Sequence, residues 1–209
     1  SELMEKWGSR GKILATLAAV CIPILIVMTW VQVGHWKNTI TIFKHATRVT
    51  NNNATAHNNL GMALLDARKF EESIPHFKTA IMILPSFLDA HYNLGNAFLS
   101  TGRAKEAIFH YKAAITLKPD DVDAHYNLGN AFLGTGRTKE AIFHYKAAIT
   151  LKPDNAAAHH NLGSALVQKG NIREAINHYK KTLRLRPDHD SAGKNLEMAL
   201  FRLEEYKHK

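Results

Sequence analysis

Five asparagines, Asn59, Asn93, Asn127, Asn161 and Asn195, recur along the chain at a constant interval of 34 residues. A side-chain amide carries both a donor and an acceptor, so it can pair with a peptide group whatever side chains that peptide bears. Tyr92, Tyr126, Asn96 and Asn130 stand beside this ladder in the two middle copies. Aromatic rings add contact area at small entropic cost. Amides and phenols in this pattern suit recognition of an extended polypeptide rather than the making or breaking of bonds.

The chain also holds 13 histidines, eight of them from two repeated positions: His57, His91, His125 and His159, then His76, His110, His144 and His178. Equivalent positions on helices about 8–10 Å apart cannot share one ion whose ligands sit near ~2.1 Å. His159 and His160 are adjacent on a helix and point apart. There is no His-Glu-x-x-His motif, and Cys21, the one cysteine, permits neither an intrachain disulfide nor a thiol cluster. No metal and no cofactor are expected, and the histidines are read as pH-sensitive surface charge. A nucleophile elbow, a phosphate-binding glycine loop and a carboxylate pair are all missing, so no catalytic residue is assigned. Gly95, Gly102, Gly129 and Gly136 are accounted for by packing and turns.

A repeat positions these residues. Asn-Leu-Gly begins at Asn59, Asn93, Asn127 and Asn161, and Pro85, Pro119, Pro153 and Pro187 keep the same interval. Residues 88–121 and 122–155 differ only at Leu88/Val122, Ser100/Gly134, Ala104/Thr138 and Asp121/Asn155, so two near-identical sub-sites are expected. Each unit reads as two helices. Ala90, Leu94, Ala97 and Phe98 share one helical face and Thr101-Gly102 breaks it. Ala107, Ile108, Tyr111, Ala114 and Ile115 form the second face before Pro119. Gly95 and the alanines allow close approach, with Tyr111 filling the space beside them.

This pattern resembles the tetratricopeptide-repeat (TPR) family, whose 34-residue units carry small-Leu-Gly in the first helix, Ala and an aromatic in the second, and Pro at the end. The resemblance covers residues 54–87, 88–121, 122–155 and 156–189; the first unit departs most, with Ser73 for the usual Ala and Arg68 for the turn Gly. It implies an all-α, right-handed helical solenoid whose first helices line a concave groove. Residues 35–53 read as a half-repeat, Phe43 lying 34 residues before Phe77. Residues 190–209 read as a capping helix whose tail turns polar at Glu204-Glu205-Tyr206-Lys207. The repeats of O-linked N-acetylglucosamine transferase carry a similar asparagine ladder that holds a peptide by its backbone. That likeness implies that the five asparagines, with Tyr92, Tyr126, Asn96 and Asn130, face the groove. The competing reading is that the amides satisfy neighbouring groups or were copied with the repeats.

From Ile13 to Gly34 there is no charged residue. Such a stretch, at about 1.5 Å per residue, reaches roughly 30 Å, the hydrocarbon thickness of a bilayer. Trp7, Trp30 and Trp36 flank it as headgroup anchors would, and Pro23 falls mid-span. A cleaved signal peptide would have a shorter core ending at a small-x-small site, and this stretch runs past Ala18-Ala19 unbroken. Residues 13–34 are therefore predicted to be a single transmembrane helix preceding the solenoid. Residues 1–12, with Lys6, Arg10 and Lys12, form a cytoplasmic flank, placing the repeats on the periplasmic or extracytoplasmic side. The junction, VGHWKNTITIFKHATRVTNNNATAHNNLG, leaves no room for a flexible linker. It resembles the C-terminal part of multispan glycosyltransferase-like membrane proteins with trailing repeats.

The formal charge is +9. Six basic against two acidic residues fall in 1–53, and the same excess recurs in 156–189, while the middle repeats are balanced. A nucleic-acid binder would concentrate charge along one face, so that partner class is disfavoured. The expected function is a membrane-anchored scaffold that holds a partner protein or extended peptide. Two others are weighed beside it: the acceptor-binding part of a membrane glycosyltransferase, and a structural subunit, since near-identical repeats permit self-association.

Overall fold

The structure is a computed structural model that describes residues 20–25, 28 and 38–205. The chain divides into two compact units, Ser1–Asn51 and Asn52–Lys209. In the first, residues 20–25 are helical, and Val20, Ile22, Ile24, Leu25 and Met28 are exposed. The remainder of the predicted span at 13–34 lies outside the described residues. Among the described residues no helix is long and apolar enough to cross a membrane. Helix α1 (Thr39–Val49) falls within the predicted half-repeat and opens with a capping box: Asn38 Oδ1 accepts from Thr41 N–H at 2.9 Å, and Asn38 N–H donates to Thr41 Oγ1 at 3.3 Å.

The second unit consists of α2 (Ala54–Asp66), α3 (Phe70–Ile83), α4 (Leu88–Ser100), α5 (Ala104–Leu117), α6 (Val122–Gly134), α7 (Thr138–Leu151), α8 (Ala156–Gln168), α9 (Ile172–Leu185) and α10 (Asp190–Glu205), with no strand among the described residues. Each repeat is one helix pair, as the sequence predicts. Asn53, Asp121 and Asn155 cap α2, α6 and α8 by accepting from the backbone N–H three residues on, at 2.8–3.0 Å. Between the helices of a pair the chain turns through a left-handed residue, Gly102, Gly136 or Gly170, where glycine has no Cβ to clash. The first pair makes the same turn with Arg68, φ 58°.

Packing within a pair rests on a glycine against a ring. A Cβ on Gly95, Gly129 or Gly163 would come within 2.6–2.7 Å of the Tyr111, Tyr145 or Tyr179 ring, and one on Gly61 within 2.6 Å of Phe77. The first helix therefore lies directly on the aromatic of the second, and all four rings are buried. Alanines 97, 107, 131, 141, 165 and 175, fully buried, complete these close contacts.

Along the stack each helix touches the next in sequence. The first helices of successive pairs also touch one another, α2 with α4, α4 with α6, α6 with α8 and α8 with α10. The second helices, α3, α5, α7 and α9, do not touch one another. A wall whose first helices are closer together than its second helices curves toward the first-helix side, which makes that side concave. Helix α10 occupies the place of a fifth first helix, with Ala192 and Ala199 buried against its neighbours. Its outer face is less polar than a solvent cap predicts, since Met198 and Phe201 are exposed. Glu197 stands where the other first helices have the glycine that receives a ring.

Candidate functional site

The ladder asparagines sit at the seams between repeats. Asn127 Nδ2 donates across the seam to Tyr92 Oη at 2.9 Å and to Asn96 Oδ1 at 3.3 Å. One repeat later Asn161 Nδ2 donates to Tyr126 Oη at 3.1 Å and to Asn130 Oδ1 at 2.9 Å. At the first seam Asn93 donates to Asn58 Oδ1 at 3.2 Å, and at the last Asn195 Nδ2 lies 3.1 Å from His160 Nε2. Asn59, which begins the series, is half-buried on α2. The structure thus brings eight of the nine expected residues into cross-repeat contacts.

These contacts take up most of the amide chemistry. Both Nδ2 hydrogens of Asn127 and of Asn161 point into the preceding repeat, so neither is left for a ligand. Asn96 and Asn130 are arranged the opposite way. Their Oδ1 atoms accept from the seam and also from the buried Tyr111 and Tyr145 hydroxyls, at 2.7 and 2.8 Å. Asn130 Nδ2 also donates to Asn127 Oδ1 at 3.5 Å, Asn96 bonds Tyr92 and Asn161 bonds His160. The Oδ1 of Asn127 or Asn161 therefore keeps one lone pair, and the Nδ2 of Asn96 or Asn130 one hydrogen, for a ligand. A peptide group needs one of each.

The tyrosine hydroxyls fix this arrangement from beneath. Burial pushes the Tyr111 and Tyr145 phenols well above their ordinary range, so both stay protonated and donate. Sequence reasoning missed this link, yet a signal for it exists. Asn96, Asn130 and Ser164 are paired with Tyr111, Tyr145 and Tyr179, whereas Met62 is paired with Phe77, which has no hydroxyl.

Tyr92 and Tyr126 are half-buried at the concave edge, each canted on the buried tyrosine of its own repeat with ring centres 6.0 and 6.1 Å apart. Burial raises the Tyr92 phenol, and so do the carboxylates of Asp123 and Asp121. The corresponding residues beside Tyr126 are Ala157 and Asn155. The two sub-sites are therefore not near-identical, because each is completed by the repeat that follows.

The histidines are not surface charge. Within every pair the two repeated positions meet: Nδ1 atoms lie 3.5 Å apart in His57–His76, 3.2 Å in His91–His110, 3.0 Å in His125–His144 and 2.9 Å in His159–His178. In the last three pairs the Nε2 of the first histidine contacts the carbonyl of Pro85, Pro119 or Pro153 at 3.0–3.1 Å. A carbonyl only accepts, so that Nε2 carries the proton, and in the tautomer that has one proton the Nδ1 of the same ring is bare. His110, His144 and His178 must then donate Nδ1–H to it. Burial first, then the facing histidine and Lys78 or Lys112, hold His110 and His144 down at about 4. Among the described residues no three His, Cys, Asp or Glu side chains gather where an ion could be held.

Comparison with known proteins bears on the same residues. Family profiles described as "TPR repeat" match residues 95–136 and 129–170, and profiles described as "Tetratricopeptide repeat" match 54–86 and 156–189. The chain belongs to the tetratricopeptide-repeat family. Among solved TPR structures, YrrB, described as a TPR protein with an unusual peptide-binding site, superposes with a TM-score of 0.70 at 22% identity, over 78% of this chain and 84% of its own. MamA superposes with a TM-score of 0.68 at 27% identity, over 73% of this chain and 89% of its own. PilF of Pseudomonas aeruginosa does so at 0.65 and 26% identity, over 73% and 70%. No curated protein matches the chain, so the likeness of its junction to glycosyltransferase-like membrane proteins gains no support.

Proposed function

We propose that this TPR chain is a membrane-anchored interaction scaffold whose concave face holds an extended segment of a partner protein. The anchor is residues 13–34, with the repeats on the extracytoplasmic side. The carrying observation is the pair of central seams, Asn96–Asn127 and Asn130–Asn161. Each has an amide donor and an amide acceptor fixed side by side, with Tyr92 and Tyr126 at the edge. Side chains already held in place lose little entropy on binding. Tethering raises the local concentration of the scaffold, so modest affinity suffices.

The test is capture of partners from native membranes by the full chain. The comparison is a variant with Asn96, Asn127, Asn130 and Asn161 all changed to Ala. Partners held by the groove are lost from the variant while its helical circular dichroism is kept. Equal recovery of every partner by both proteins would place binding elsewhere.

A further inference from the structure

Charge is divided between the two helical layers. The four first helices, α2, α4, α6 and α8, contain Asp66, Asp89 and Asp123 and no Lys or Arg. Every basic residue of the four repeats lies on a second helix or in a turn, among them Lys78, Lys105, Lys112, Lys139, Lys146 and Arg173. In a chain of formal charge +9 the first helices of the four repeats therefore carry only acidic fixed charges, and cations enter that layer only on α10, as Lys194 and Arg202. Asp89 and Asp123 are exposed, occupy the same register in adjacent first helices, and flank the sub-sites of Asn58 and Tyr92. Each is a first-turn acid, which favours the helix dipole. That role does not account for the absence of cations over four helices, and α8 begins with alanines instead.

We infer that the groove selects an extended segment bearing two cationic side chains three residues apart, one over Asp89 and one over Asp123; the inference rests on the groove reading above. Adjacent first helices lie about 8–10 Å apart. A polyproline-II segment rises about 3.1 Å per residue with three residues per turn, so side chains three apart point the same way about 9 Å apart. The cation at the second position meets two further features. Asp121 lies near the same phenol but is already ion-paired with Lys118 at 3.4 Å, which leaves Asp123 as the available anion. The Tyr92 ring, held by Tyr111, presents a π face to a Lys or Arg that lies along it.

The full chain, purified in neutral detergent and immobilised, is equilibrated with a degenerate library of peptides about twelve residues long, and the retained sequences are read by mass spectrometry. Lys or Arg at two positions three apart is expected to be enriched about tenfold over Gln, the combined effect of two exposed ion pairs. The enrichment disappears in Asp89→Asn/Asp123→Asn and declines as salt rises. Peptides retained with no cationic preference overturn the charge inference and leave the groove reading standing. Cationic enrichment that survives Asp89→Asn/Asp123→Asn overturns it too. Cationic enrichment that also survives Tyr92→Ala/Asn127→Ala removes the groove as the site. Retention no better than on blank support overturns both readings.

Discussion

Acidification should loosen this fold well before its carboxylates are protonated, because its paired histidines must charge. His110 and His144 sit at about 4 in the fold against 6.5 in the unfolded chain. The unfolded state thus binds more protons than the native state between those values, and stability falls as pH falls. The histidine contribution is complete above pH 6.5 and lost progressively toward pH 4. Taken at face value, each ring costs about 2 kcal/mol between pH 7 and pH 5. Both rings are only partly buried, and solvent screening reduces that to about 1 kcal/mol each, or about 2 kcal/mol together. Urea titrations followed by circular dichroism, repeated from pH 7.5 to pH 5, measure the loss directly. Above pH 5 most carboxylates remain ionised, so histidines dominate the window. Asn replaces the Nδ1–H donor with an amide N–H and does not titrate. The double variant His110→Asn/His144→Asn should therefore recover about 2 kcal/mol of the loss at pH 5 while remaining near wild type at pH 7.5. The rest of the decline belongs to His57, His159, His160 and His178, which burial also lowers. A wild-type midpoint that stays constant from pH 7 to pH 5, or a double variant that keeps the full decline, would refute the assignment of neutral, mutually bonded imidazoles.

Three other substitutions probe the elements that carry the site. Arg68→Gly should stabilise the protein by about 0.5–1 kcal/mol, read as a higher melting temperature, since the residue holds φ 58° where three other turns have glycine. Gly129→Ala should destabilise by about 1–3 kcal/mol, because its Cβ would stand 2.6 Å from the Tyr145 ring; an unchanged urea midpoint would contradict the packing described. Tyr145→Phe removes the hydroxyl bond to Asn130 and should cost about 1 kcal/mol in chemical denaturation. It should leave the fold intact, as Phe77 does in the first repeat, while weakening partner capture.

The helix pairs were legible in the sequence because a fixed interval and a fixed hydrophobic face determine them. The glycine-on-ring contacts followed from Gly95 and Tyr111. Two features escaped for one reason: repeat comparison aligns a position with its own copies and says nothing about which different positions face each other. His91 and His110 are 19 residues apart and meet only because the two helices of a pair run antiparallel at close range. Aligned with their copies alone, they look isolated and read as surface residues, whereas His91, His125 and His159 are buried. The amide roles were hidden similarly. An asparagine offers a donor and an acceptor in isolation, and only the position of Tyr92 beneath Asn127 determines which of the two remains.

The same geometry explains why two repeats that differ at four positions do not yield equal sub-sites. A sub-site is a seam: Tyr92, Asn96 and Asp121 come from one repeat, while Asn127 and Asp123 come from the next. The following seam has the same Tyr and Asn but ends in Asn161, Asn155 and Ala157. On the proposed groove reading both seams grip peptide groups alike, because the amides are shared, and only one carries fixed negative charge. Copying a repeat thus preserves the grip on a backbone. The first residues of each repeat remain free to set which side chain the preceding seam accepts, so a solenoid of near-identical units can still read direction along its ligand.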